Sequence, residues 1–317
     1  MNFLFPKFQF PANTDNVEVE DGSMVREDEE LPPEELEPVR IVLSFDRKPP
    51  AVVQEEEEAF DYVADAPPPP FVYDPVPPHA FLAMIAAVCT NTYALEDLAQ
   101  YGRIEDWDVS QIQDFSNAFR DRHDFNLDIS RWNTSNGKDM RGMFLNASRF
   151  NQPLNDWVTS GVTDMEGMFC NATAFNQPLD RWQVGNVRDM QGMFSGARAF
   201  NQNIDAWDVA NVATMASMFA CATSFNQPLN SWNVTRVKQM GGMFNAASSF
   251  NQPLDAWNTC RVRDMTRMFA DSFAFKQPIF HWNLSSTTFG GRNAIFNTPD
   301  ARSNADPFFY LRLRMKK

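Results

Sequence analysis

Eight tryptophans set what this chain can fold into. Trp107, Trp132, Trp157, Trp182, Trp207, Trp232, Trp257 and Trp282 follow one another at intervals of 25 residues, and the sequence contains no other tryptophan. A fixed period of roughly 20 to 50 residues marks an array of stacked units, because no single unit can bury its own apolar face. Aligned on tryptophan, the repeat reads W-[DN]-V-x-x-V-x-D-M-x-x-M-F-x-x-A-x-x-F-N-Q-P-L-x-x.

The apolar columns of that alignment are the expected core. They include Trp132, Trp157, Trp182, Trp207 and Trp232; Met165 and Met190; Phe169, Phe194, Phe219 and Phe244; and Leu154, Leu179 and Leu229. The segment V-x-D-M-x-x-M-F-x-x-A has apolar spacings of three and four, which predicts a short helix, with the aspartate favouring its N-terminus. The segment Q-P-L-x-x-W-x-V is assigned a short strand. The predicted fold is therefore an α/β repeat solenoid with one short strand and one short helix per 25 residues. At a rise of about 5 Å per paired unit, seven periods extend for roughly 35 Å.

Charge divides the chain further. Residues 1–80 hold 19 Asp and Glu against 5 Lys and Arg, which leaves 22 of each sign for residues 81–317. Fourteen of the 21 prolines also precede residue 80. Like-charge repulsion and missing backbone donors predict an acidic, proline-rich disordered arm over 1–78. Residues 79–106 are apolar and helix-forming, and are assigned as the helical cap that an open array needs at its first unit. The repeats occupy 107–282, and 283–317 form a degenerate unit and a C-terminal cap or tail. A formally neutral repeat domain predicts no basic stripe, and so argues against nucleic acid as the partner.

Cys89, Cys170, Cys221 and Cys260 fall in different columns or distant repeats, and are read as unbridged, small apolar residues. Three histidines carry no metal-ligand spacing. The start MNFLFPKFQFP lacks the pattern of a secretory signal, and the run Phe81 to Cys89 is too short to span a bilayer. No nucleophile–base pair, phosphate loop or carboxylate dyad emerges, so neither enzymatic activity nor a cofactor or metal is expected.

Two segments carry a family resemblance: Trp232-Asn-Val-Thr-Arg-Val-Lys-Gln-Met-Gly-Gly-Met-Phe244 and Ser224-Phe-Asn-Gln-Pro-Leu-Asn-Ser-Trp232. They resemble the BspA-like leucine-rich repeats, over about residues 93–285. The resemblance implies an α/β solenoid with a binding role, often on bacterial or protist surfaces, with giant-virus members too, and no catalytic residues. The first repeat departs from the pattern, with Phe115, Ala118 and Leu127 in place of Met, Met and Gln.

The recurring asparagines Asn151, Asn176, Asn201, Asn226 and Asn251 admit two readings. They line a polar groove for a ligand, or they form a hydrogen-bonded turn ladder, and the ladder is the expectation because buried amides need partners. Recognition is expected where repeats differ. The candidates are Arg131, Asp156 and Arg181 in the row before each tryptophan, and Arg141, Glu166 and Gln191 in the predicted helix. Their mixed signs point to a protein partner, with self-association as one form of it. The expected function is a non-enzymatic recognition or adhesion module; the alternative is a structural scaffold inside a cell or virus particle.

Overall fold

A computed structural model describes residues 73–90, 98–279, 282 and 295–296. The chain divides into Met1–Pro67 and Pro68–Lys317, and the first unit lies wholly outside the described residues. The expected disordered arm is therefore described only from residue 73 onward. The C-terminal cap assigned to 283–317 is described only at Ile295 and Phe296.

Each repeat lies against the next in parallel register. Single-residue bridges join Asp114 to Asp139, Asp139 to Asp164, Asp164 to Asp189, Asp189 to Thr214, Thr214 to Gln239 and Gln239 to Asp264. From that column onward, alternate backbone N–H groups donate to the following repeat. Gly167 donates to the Gln191 carbonyl at 2.8 Å, Phe169 to Met193 at 2.8 Å and Asn171 to Ser195 at 2.7 Å. The intervening N–H groups turn back within their own repeat, as Cys170 does to the Gly167 carbonyl at 3.0 Å.

This pattern corrects the predicted secondary structure. Among the described residues of the array there is no helix and no extended strand, only turns and isolated bridges. A short isolated helix is poorly nucleated, and here half of its would-be donors serve the neighbouring repeat instead. The chain also enters the left-handed region twice per segment, as at Gly142 (φ 57°) and Asn146 (φ 62°), Gly167 (φ 59°) and Asn171 (φ 58°), and Gly192 (φ 60°) and Gly196 (φ 71°), which no α-helix tolerates. The assigned strand at Q-P-L-x-x-W is not formed either. The bridges lie at the aspartate column, and the proline has no N–H to give a ladder.

Packing is columnar. Rings of Phe119, Phe144, Phe169, Phe194, Phe219 and Phe244 stack nearly parallel, with centroids 5.4 to 5.7 Å apart. Each also meets the phenylalanine six residues on, as Phe194 meets Phe200 at 4.0 Å. Met165, Met190, Leu154, Leu179 and Leu229 are wholly buried, as are Phe169, Phe194, Phe219 and Phe244. The tryptophans Trp132, Trp157, Trp182, Trp207 and Trp232 are buried too, with their indole N–H groups satisfied. Trp182 donates to the Leu154 carbonyl at 2.8 Å and Trp207 to Leu179 at 2.9 Å, so each tryptophan fastens its repeat to the one before.

At the first repeat, helix α1 (Phe81–Thr90) buries Phe81, Met84, Ile85 and Ala87. The Phe81 ring stands edge-on to Phe115, with centroids 5.4 Å apart. The cap begins earlier than the sequence suggested. Pro75 bridges Asp108 in parallel, the Val76 N–H donates to the Asp108 carbonyl at 2.9 Å, and Val76 is fully buried. Residues 73–78 therefore belong to the packed body, because Val76 covers apolar surface that the first repeat leaves open. At the far end, Phe296 stacks on Phe269 at 5.7 Å and the Phe269 N–H donates to the Ile295 carbonyl at 3.0 Å. Phe296 thus continues the phenylalanine column across a longer spacing.

Candidate recognition surface

The recurring polar column holds repeats together. Asn151, Asn176, Asn201 and Asn226 each accept the N–H of the next asparagine in the row through their side-chain oxygen, all at 2.9 Å. Glutamine Nε2 groups reach back to the same residues, as Gln202 does to the Asn176 carbonyl at 3.0 Å. Asn251 serves Lys276 in the same way, and Lys276 has no acceptor with which to continue the row. Among the described residues no buried side-chain nitrogen or oxygen lacks a partner.

The non-recurring positions behave differently. Arg131 reaches Asp106 at 2.5 Å and Arg181 reaches Asp156 at 2.5 Å, so the row before each tryptophan begins as two exposed ion pairs between neighbouring repeats. Such pairs add little stability. From there the row becomes Ala206, Ser231 and Ala256, and it carries no charge. An open groove of about 510 Å³ lies at this change, lined by Pro178, Asp180, Gln202, Asn203, Asp205, Ala206 and Ser231. A smaller hollow of about 340 Å³ shares Ala206 and is lined also by Gln183, Gly185 and Asp208.

The groove has a local cause. Asn203 stands where Pro153, Pro178, Pro228 and Pro253 stand in other repeats. Its side-chain oxygen turns in to accept the Asp205 N–H at 3.0 Å, while Ala206 supplies no side chain to fill the space. The carboxylate of Asp205 accepts the Ser231 N–H at 3.2 Å, and Asp180 accepts from Asn155 Nδ2 at 2.9 Å. Neither forms an ion pair among the described residues. Sequence reasoning named Arg131, Asp156 and Arg181 but missed Asp180, Asn203 and Asp205. The signal for them is the break at Asn203 in a proline column that is otherwise continuous from Pro153 to Pro278.

The other predicted set is also brought together, in a separate network. Arg141 reaches Asp139 at 2.7 Å and Asp164 at 3.6 Å, and Gln191 Nε2 donates to Glu166 Oε1 at 3.2 Å. Burial, then the neighbouring Asp189 and Asp164, pushes the Glu166 carboxyl above the ordinary range, with Arg141 and Gln191 opposing. Burial raises Asp164 and Asp189 likewise. Among the described residues no hydrogen bond or ion pair joins this network to the Arg131–Asp156–Arg181 row. The aspartates expected at helix starts close local turns instead, as the Asp189 carboxylate accepts the Gln191 N–H at 2.8 Å.

The half-buried thiols of Cys89, Cys170 and Cys221 are pushed up by burial, which keeps them protonated. Among the described residues no group of three or more His, Cys, Asp or Glu is placed to hold a metal ion, and no helix is long and apolar enough to cross a membrane.

The model of a family described as "Mycoplasma protein of unknown function, DUF285" matches the chain twice, over residues 89–207 and 195–304. Together the two matches span more than half of the 317 residues. No curated protein and no solved structure matches the chain.

Proposed function

The chain belongs to the DUF285 family, and we propose that it is a non-enzymatic protein-recognition module of the adhesion type. Its repeats form a leucine-rich-repeat-like solenoid akin to the BspA-like arrays, and its partner docks at the row that precedes each tryptophan. One observation carries this reading: the recurring columns are consumed in joining repeats, and the concavity at Ala206 arises where Asn203 replaces the recurring proline and the variable row before tryptophan carries a small side chain. Open grooves with a few convergent polar groups are where binding is expected.

The test places a photo-reactive benzoylphenylalanine at Ala206 in the native host, with Thr173 as control position, and identifies cross-linked proteins by mass spectrometry. The expected result is a cross-link to a different protein that is lost when Asp205→Lys is added. Cross-links only to further copies of this chain favour the scaffold reading. No cross-link above the Thr173 control overturns recognition at this row.

A further inference from the structure

The neutral charge sum of the repeat domain hides a segregation. The positions four and six residues after each tryptophan hold Lys138, Arg188, Arg236, Lys238, Arg261 and Arg263, and no Asp or Glu from the first repeat to the seventh. All six cations are exposed, while the residue between the two positions, as at Val187, Val237 and Val262, is buried. The two rows therefore present one face. Backbone bonds lock its spacing, with Lys238 N–H donating to Ala213 and Arg263 N–H to Lys238, both at 2.8 Å. The stripe that the neutral sum argued against is present.

Its cations are not spent on neighbouring acids. None of the six forms an ion pair among the described residues. Arg236 Nη1 donates instead to the neutral Asn211 Oδ1, at 2.6 Å along the row. The adjacent carboxylates turn elsewhere: Asp264 accepts the Thr266 N–H at 2.8 Å, and the cation that acts on Asp189 is Arg141 rather than Arg188. Four of the six, Arg236, Lys238, Arg261 and Arg263, fall in two successive repeats, about 5 Å apart where their backbones bond.

We propose that the face carrying Arg236, Lys238, Arg261 and Arg263 binds a glutamate- or aspartate-rich segment of a partner polypeptide. Three guanidinium forks suit planar carboxylates, and clusters of arginine are a recurrent means of reading acidic motifs. The two rows carry no aromatic side chain on which bases would stack, and no large apolar side chain that would enter a lipid interface. The site is separate from the Ala206 groove and stands or falls on its own test.

The probe is a fluorescent decaglutamate peptide titrated with the full chain, followed by anisotropy at low and at moderate salt. The expected result is saturable binding that weakens with salt and weakens roughly tenfold or more in Lys238→Glu/Arg261→Glu, with tryptophan emission unchanged. Arg261→Gln/Arg263→Gln, which neutralises without reversing charge, should weaken it in the same direction. Absence of binding at low salt, or equal binding by both variants, overturns the proposal. So does tighter binding of heparin, a DNA oligonucleotide or anionic phosphatidylserine vesicles at matched charge.

Discussion

Phe194→Ala removes a ring from the middle of the stack. The side chain is wholly buried, with ring centroids 5.6 Å from Phe169, 5.7 Å from Phe219, 4.0 Å from Phe200 and 6.3 Å from Trp207. Truncating a buried phenylalanine costs about 3–5 kcal/mol, with the value set by how far the surroundings collapse. Collapse is restricted here, because the backbone on both sides is held between repeats: Phe169 donates to Met193 at 2.8 Å and Phe194 to Met218 at 2.9 Å. The lost ring contacts, about 0.5–1.5 kcal/mol per pair and not additive, act in the same direction. The expectation is therefore the upper half of the range, about 4–5 kcal/mol. Urea unfolding followed by tryptophan emission measures it, since every tryptophan lies in the array. Phe273→Ala, at 70 % exposure, is the control and should change stability by less than about 0.5 kcal/mol. A loss under about 1 kcal/mol for Phe194→Ala, or equal losses for the two variants, refutes the columnar core.

Asn176→Ala deprives the Asn201 N–H and Gln202 Nε2 of an acceptor, each at 2.9 Å, and should cost about 1–3 kcal/mol in thermal melts. Gly196→Ala should destabilise more than Gly192→Ala. Both glycines have positive φ, but a Cβ at Gly196 would run into Asn171 Oδ1, whereas at Gly192 its nearest neighbour is 3.9 Å away. The shared left-handed term is about 1–2 kcal/mol, and the difference between the two variants reports the clash. The raised carboxyls of Asp164, Glu166 and Asp189 bind protons more readily in the folded state. Their contribution is complete below the ordinary carboxylate range and is lost as pH rises through the raised values. Stability from this network should thus fall from mildly acidic to neutral pH. Glu166→Gln should flatten that fall and raise the neutral-pH melting temperature; an unchanged pH profile counts against the network.

The register of the array was legible because every repeat has the same length, which puts Trp182 over Trp157 and Phe194 over Phe169 without any structural information. The local backbone was not read. Apolar spacings of three and four at Met165, Met168 and Phe169 suit a helix and suit equally a chain of turns whose alternate N–H groups leave the repeat. The discriminating signal lay in polar and small residues: Gly142, Gly167, Gly192 and Gly242 in one column, and Asn146, Asn171 and Gly196 four places on, all with positive φ. The aspartate column was misread for a related reason, since a carboxylate that accepts the N–H two residues on looks the same in sequence at a helix start and at a turn. On the candidate surface, the pairing of Arg181 with Asp156 follows from their separation of one period. Summing charge over the domain erased the basic rows, which emerge only when Arg236, Lys238, Arg261 and Arg263 are read by column. The groove at Ala206 became visible only when Asn203 was set against the prolines of its column.

Backbone hydrogen bonds lock each repeat of the array to the next. Amide hydrogen exchange tests this most directly, at Gly167, Phe169, Gly192, Phe194, Ser217 and Phe219. Each of these N–H groups donates to the following repeat at 2.8 to 2.9 Å. The prediction is protection approaching the free energy of global unfolding, uniform across the central repeats. Exchange of these amides at the rate of open surface turns would contradict it.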